Sequence, residues 1–115
     1  MHLKNFSIIT ENGKVTLSPS YDLVNTTIEY KNKPDDEIAL LLKGKKNKLS
    51  CNLLVIYFGM ERCELTSKCV EKVLETISSA VPKLQELINI SFLSKAMKDK
   101  YHDLLDTRLK ILKIQ

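Results

Sequence analysis

The chain has 115 residues, 43% of them hydrophobic and 28% charged, which is ordinary for one small globular domain with a modest core. No apolar run approaches the roughly 20 residues that span a bilayer, and the N-terminus lacks the basic and then apolar layout of a signal peptide. We therefore expect a cytoplasmic protein without a membrane partner. The net charge of +4 is too mild to indicate a nucleic-acid ligand by itself.

Two apolar runs in residues 6–18 flank Asn12-Gly13, a dipeptide typical of a two-residue hairpin turn. This turn predicts a register that pairs Glu11 with Lys14, Thr10 with Val15, Ile8 with Leu17 and Phe6 with Pro19. Strand alternation puts four apolar side chains on one face, which we expect to be a core face: Phe6, Ile8, Val15 and Leu17. The same register brings Asn5 and Asp22 together at the open end of the hairpin.

The segment after the hairpin has weaker signals. Residues 23–34 are polar and predict a loop, and Glu37–Lys43, which ends at Gly44, has a length that fits either a short strand or a helical turn. Most of the positive charge lies in this part of the chain, with only Tyr30 as an aromatic neighbour: Lys31, Lys33, Lys43, Lys45, Lys46 and Lys48. Such a cluster could contact nucleic-acid phosphates, but we favour a solvated loop and strand end.

The rest of the chain predicts helices with polar residues at their starts. Ser50 is suited to cap a helix that runs to about Met60, and a second helix starts after Thr66. Pro82 predicts a helix start or a sharp break, because it has no amide hydrogen to donate. The last helix begins at Ser94 and runs nearly to the end. Residues at helical spacing line one side of each segment: Leu53, Leu54, Tyr57 and Phe58, then Val70, Val73, Leu74 and Ile77, and finally Met97, Tyr101, Leu104, Leu105, Arg108 and Leu112.

The predicted fold class is therefore α+β and mainly helical: an N-terminal β-hairpin followed by a bundle of three to four helices. Three cysteines, Cys51, Cys63 and Cys69, are an odd number at spacings of 12 and 6. A disulfide framework favours an even count, and a zinc site favours paired Cys-x-x-Cys steps. The two histidines, His2 and His102, stand at opposite ends of the chain. We interpret the thiols as structural or incidental, without a function of their own.

Asn5 and Asp22 are the residues best suited to bind a metal ion. Protein kinases hold magnesium with an Asn of the catalytic loop and an Asp that comes after the next hairpin. Magnesium prefers oxygen ligands and keeps several waters, so one amide oxygen, one carboxylate and the substrate phosphates suffice. The alternative is a structural role, because Asn near a terminus and Asp in a turn are mostly caps and turn formers.

Two sequence blocks stand on either side of the predicted hairpin. They are His-Leu-Lys-Asn-Phe-Ser at 2–7 and Leu-Ser-Pro-Ser-Tyr-Asp-Leu at 17–23. These blocks and the short spacing between them resemble the conserved core of the HipA family, the kinase toxins of bacterial type II toxin–antitoxin systems. Weaker likenesses follow in Gly-Lys-Lys-Asn at 44–47, Ser-Phe-Leu-Ser at 91–94 and the helix at 100–108. The resemblance implies the C-lobe of a kinase-like fold over residues 1–115.

The resemblance also implies roles for five residues. Asn5 and Asp22 would be the magnesium ligands, and three others would lie beside the nucleotide: His2, Lys4 and Tyr21. An intact relative would transfer phosphate from ATP to a serine or threonine of a cellular protein and would be relieved by a helix-turn-helix antitoxin.

We expect the catalytic machinery of this chain to be incomplete. The catalytic Asp of a kinase stands five residues before the metal-binding Asn, and counting back five from Asn5 passes Met1 by one residue. The sequence also contains no Gly-rich phosphate loop and no N-lobe lysine. We therefore assign no catalytic residue, expect ATP and Mg²⁺ to bind weakly or not at all, and expect no turnover by this chain alone.

The expected partners are an N-terminal kinase lobe, in cis or as a separate chain, and a helix-turn-helix antitoxin. A second copy of the chain is a further candidate, because removal of a neighbouring lobe bares a surface. The competing interpretation is a small helical interaction module that binds an antitoxin or a separate kinase lobe and carries no nucleotide chemistry. Direct nucleic-acid binding by the lysine cluster is not expected.

Overall fold

The computed structural model describes residues 5–21, 28, 37, 38 and 40–114, and the chain divides into two units, residues 1–47 and 48–115. Several predictions from the sequence fall outside the described residues. They are the loop at 23–34, apart from Ile28, which is described and buried, and the candidate site residues His2, Lys4 and Asp22.

The first unit contains the hairpin, with strand β1 at Ile8–Glu11 and strand β2 at Lys14–Leu17. The strands are antiparallel, and their register is the predicted one from the Ile8–Leu17 pair to the Glu11–Lys14 pair. Asn12 and Gly13 have φ angles of 50° and 75°, so both central residues of the turn are left-handed. This is the type I′ geometry, whose twist matches that of the flanking strands.

The predicted core face of this hairpin is wrong. Its four apolar side chains are between 55% and 70% exposed: Phe6, Ile8, Val15 and Leu17. A two-stranded sheet buries a face only when another layer packs on it. Strand alternation therefore predicted which side chains share a face, but no layer covers that face among the described residues.

The segment at Glu37–Lys43 is neither of the predicted elements where the structure describes it. Leu42 and Lys45 form an isolated antiparallel bridge with reciprocal N–H to C=O bonds of 2.9 Å. The two residues between them, Lys43 and Gly44, have φ angles of 46° and 74°. The end of this segment therefore forms a tight turn rather than the predicted strand or helical turn.

The second unit begins its regular structure with helix α1 at Asn52–Arg62. The predicted cap is confirmed, because the Leu53 N–H donates to Ser50 Oγ at 3.3 Å. The helix is wound as a π-helix, which the sequence did not predict, and its end shows the wide spacing where the Cys63 N–H donates to Phe58 O at 2.9 Å.

Helix α2 spans Ser67–Ile90 and starts where the sequence predicted. The Thr66 hydroxyl accepts from the Cys69 N–H at 3.3 Å and caps the first turn. The predicted break at Pro82 is wrong, because α2 continues through this residue. Proline removes one backbone bond and crowds one carbonyl, and a helix of 24 residues retains enough other bonds to continue past it at an exposed position.

Helix α3 spans Lys95–Leu112, and its predicted start is confirmed. Ser94 Oγ accepts from the Met97 N–H at 3.4 Å, and Lys113 ends the helix in a left-handed conformation with a φ of 58°. The predicted inner side is partly buried along its whole length: Met97, Tyr101, Leu104, Leu105, Arg108 and Leu112.

The helices pack around α2, which contacts both α1 and α3. Gly59 and Val70 are buried where α1 meets α2. Where α2 turns into α3, Lys98 Nζ donates to the Asn89 carbonyl at 2.7 Å, and His102 Nε2 lies 3.0 Å from Asn89 Oδ1. These two contacts hold the first turns of α3 against the end of α2.

The mainly helical α+β fold class, a hairpin followed by three helices, is confirmed. All three cysteines are free thiols, as expected. None of the helices in the described part of the chain combines the length and apolar character that a membrane span requires.

Candidate functional site

The open end of the hairpin contains the described part of the predicted metal site. The ladder continues one step beyond the Ile8–Leu17 pair, because the Ser18 N–H donates to the Ser7 carbonyl at 2.9 Å. Continuing the same register places Asn5 opposite Ser20. The type I′ turn at the far end therefore determines which residues of the two strand ends meet.

A pair of hydroxyl groups connects the strand ends at this point. Ser7 Oγ donates to Ser18 Oγ at 3.0 Å, and Ser18 Oγ donates to the Pro19 carbonyl at 3.2 Å. Each side-chain bond of this kind contributes only about 1 kcal/mol. Together with the backbone bond between the same two residues, the pair holds the segment that leads to Ser20 beside the segment that follows Asn5.

A small open hollow of about 70 Å³ lies at this end of the hairpin. Its lining surface is mostly apolar, although four of the six lining residues have polar side chains: Asn5, Phe6, Ser7, Leu17, Ser18 and Ser20. Pockets for small-molecule ligands measure about 300–1,000 Å³, so the hollow is too small for a nucleotide. Any nucleotide would have to lie largely outside this hollow.

Asn5 is the buried polar residue of this site, with 7% of its surface exposed. A buried amide is costly to leave without partners, so its placement here indicates a defined polar environment. Tyr21, which was expected beside a nucleotide, is 42% exposed and is therefore accessible from solvent. The structure thus describes Asn5 and Tyr21 of the five predicted site residues.

The donor set is compatible with a hard cation. In the described residues no group of three or more His, Cys, Asp or Glu side chains is placed to hold a metal ion. The amide oxygen of Asn5 is a ligand type that magnesium accepts, and one such ligand with one carboxylate fits a metal that keeps several waters.

The lysine cluster forms a second polar feature of the first unit. The tight turn at Lys43-Gly44 carries Lys45 and Lys46 on its return arm, and the Glu37 N–H donates to the Lys46 carbonyl at 2.7 Å. The turn therefore gathers lysines that are close in sequence. Lys31 and Lys33, predicted members of the cluster, lie outside the described residues.

The sequence reasoning missed the two serines that join the strand ends. The predicted register already implied their pairing, because extending it by one step from Ile8–Leu17 places Ser7 opposite Ser18. Ser20 was missed for the same reason. The strand register therefore predicts this contact when it is extended beyond the last apolar pair, because polar side chains of the two strand ends then meet at the open end of the hairpin.

Residues 1–84 match the family described as the HipA-like C-terminal domain. The match includes both blocks beside the hairpin and the Gly-Lys-Lys-Asn segment at 44–47. The weaker likenesses at 91–94 and 100–108 lie beyond the matched residues and stay predictions. Comparison with curated proteins finds no match.

Proposed function

The chain belongs to the family of HipA-like C-terminal domains, and on that premise we propose that it supplies the magnesium corner of a HipA-type serine/threonine kinase. The observation that carries the proposal is the buried Asn5 at the open end of a hairpin whose register matches the prediction. In kinases, the metal-binding Asn precedes such a hairpin and the metal-binding Asp follows it.

The proposed division of roles gives Asn5 and Asp22 to the metal ion. When bound, magnesium would bridge the phosphates and neutralise their charge during transfer. Asn5 offers its amide oxygen from a buried position, so little side-chain freedom is lost on binding. The hydroxyl pair of Ser7 and Ser18 holds the strand ends in place, and we propose that His2, Lys4 and Tyr21 border the nucleotide.

We propose no general base among these 115 residues. The 115 residues contain no Gly-rich loop of the kind that covers the nucleotide phosphates in protein kinases. General-base catalysis alone contributes about 10²–10⁴-fold, and positioning by a second lobe contributes further. The chain alone is therefore expected to bind Mg-ATP weakly and to transfer no phosphate.

The test is an NMR titration of the chain with Mg-ATP, with Asp22→Asn and Asn5→Leu as variants. We expect shifts at the amides of Asn5 and Ser20 with an affinity near the millimolar range, because two protein ligands hold magnesium weakly without a second lobe. Both variants should lose the shifts.

Asp99→Asn, on an exposed site of α3, is the matched control and should titrate like the parent chain. Equal titration of the parent and Asp22→Asn would refute the metal assignment. ATP consumption by the isolated chain would refute the expectation that it is inactive alone.

A second candidate function is that of an interaction module, and the exposed apolar face of the hairpin favours it. Four large apolar side chains on one face are a surface that a separate kinase lobe or an antitoxin could cover. Failure of the parent chain to bind Mg-ATP, together with binding of a separately produced N-terminal lobe that Leu17→Lys abolishes, would favour this alternative.

A further inference from the structure

The hydroxyl pair at the open end of the hairpin has a fixed order of donors. Ser7 Oγ and Ser18 Oγ lie 3.0 Å apart, and Ser18 Oγ lies 3.2 Å from the Pro19 carbonyl oxygen. A hydroxyl group has one proton to donate, whereas a carbonyl oxygen can only accept. The Ser18 proton therefore goes to the Pro19 carbonyl, and the bond between the two serines must be formed by the Ser7 proton.

This order makes Ser7 Oγ an acceptor toward any ligand. Its proton is used inside the pair, and both of its lone pairs remain. Ser7 is exposed, and no described residue donates a hydrogen bond to its oxygen. An ionised phosphate oxygen also accepts hydrogen bonds and has no proton to give. The ligand that suits Ser7 Oγ is therefore a donor such as a water molecule, and not a phosphate.

A magnesium ion brings such donors with it. Mg²⁺ dehydrates reluctantly and keeps several waters when it binds to protein oxygen atoms. The ion also lowers the pKa of its waters, which makes them stronger donors than bulk water. One metal-bound water lets a hydroxyl oxygen hold the ion from a distance of about 5 Å.

Ser7 stands beside the residue that is proposed to bind the metal directly. Ser7 and Asn5 line the same hollow, and its volume of about 70 Å³ exceeds the roughly 10–15 Å³ that a single water requires. The lining surface of the hollow is mostly apolar, so few other polar atoms compete for a water there. Asn5 is buried, and Ser7 is bonded to Ser18 through both its hydroxyl and its carbonyl oxygen. The amide and the hydroxyl acceptor are thus held beside one hollow.

We infer that Ser7 binds the magnesium ion through one of the ion's water molecules, as an acceptor whose orientation is set by Ser18 and Pro19. The inference rests on the proposed function, because it takes Asn5 as a direct ligand of the same ion. It adds a positioning residue to that site, since Ser7 would hold the hydrated ion as well as the strand end.

Two single variants separate this role from a purely structural one. Ser7→Ala and Ser18→Ala both break the hydroxyl pair, but only Ser7→Ala removes the acceptor. We therefore expect the metal to bind about 5-fold more weakly to Ser7→Ala than to Ser18→Ala, which corresponds to the loss of one hydrogen bond. Ser7→Thr keeps a hydroxyl at the same position and should bind within about 2-fold of the parent chain.

The measurement is NMR line broadening of the full chain by Mn²⁺ without nucleotide. Mn²⁺ takes the same oxygen ligands as magnesium. Its broadening at low occupancy rises in proportion to affinity, so weak binding can be compared among variants. The signal is broadening at the amides of Asn5 and Ser18, and Asp22→Asn should lose it. Thr16→Val removes an exposed hydroxyl of β2 that does not line the hollow, and it should broaden like the parent chain.

A second titration with Mg-ATP identifies what Ser7 contacts. A deficit of Ser7→Ala relative to Ser18→Ala that appears with Mg-ATP but not with Mn²⁺ alone would overturn the water contact in favour of a direct contact with the nucleotide. Equal binding of the two variants in both titrations, with broadening that still depends on Asp22, would overturn the inference and leave the magnesium assignment intact. A parent chain with neither localised broadening nor Mg-ATP shifts would refute the assignment and the inference together.

Discussion

The hairpin and the helical unit owe their defined structures to different interactions. The hairpin takes its register from a two-residue turn with positive φ angles, and its apolar face remains more than half exposed. The helices take their starts from capping hydroxyls, and α2 buries Val70 where it meets α1. Local chemistry is therefore sufficient to determine register and helix starts, and it does so in strands whose residues are all exposed as well as in a helix that buries a side chain.

The largest expected effect separates two valines. Val70→Asp places a carboxylate at a position that is 9% exposed and should destabilise the helical unit by about 3 kcal/mol or more. Val15→Asp makes the same change at a position that is 63% exposed and should cost less than about 1 kcal/mol. Urea unfolding followed by helical circular dichroism measures the first effect, and hairpin NMR shifts measure the second. Similar losses of stability in Val70→Asp and Val15→Asp would contradict this difference between the helical unit and the hairpin.

A smaller effect is expected at Pro82, and it should be stabilising. Pro82→Ala restores a backbone donor inside α2 and removes the clash between the proline ring and the carbonyl four residues earlier. We therefore expect the free energy of unfolding to rise by about 1–3 kcal/mol. Thermal and urea unfolding measure it, with Gln85→Ala on the same helix as a control that should gain only a few tenths of a kcal/mol. A loss of stability in Pro82→Ala would show that α2 depends on the shape that proline imposes.

The smallest pair of effects compares two glycines. Gly13 has a φ of 75°, so Gly13→Ala should weaken the hairpin by about 1–2 kcal/mol. A Cβ at Gly59 would lie 3.5 Å from Val70 Cγ2, an ordinary contact, so Gly59→Ala should be neutral or stabilise the helical unit by up to about 1 kcal/mol. NMR of the hairpin and urea unfolding of the helices measure the two changes. A stabilising Gly13→Ala would contradict the type I′ assignment.

The comparison of the hairpin with the helical unit also concerns function, because the candidate metal site lies at the end of the hairpin, whose strands are exposed. Asn5 itself is buried, but the strands beside it expose their apolar face. A protein surface that covers this face would restrict the motion of the strand ends and so preorganise the site. We therefore expect magnesium and nucleotide to bind more tightly when another lobe covers the hairpin.

The sequence by itself determined the features that depend on a few neighbouring residues. The Asn12-Gly13 turn predicted the strand register, and Ser50, Thr66 and Ser94 predicted where the helices start. Each of these rests on bonds or φ angles within about four residues, so a short window contains the cause. The meeting of Asn5 with the Ser18–Ser20 segment follows from the same register.

Only the tertiary structure decided which surfaces are covered. The hairpin face with Ile8 and Leu17 has the alternation of a core strand and is exposed, and α2 continues through Pro82 although that residue favours a break. Burial depends on residues that are distant in sequence, and no local pattern contains that information.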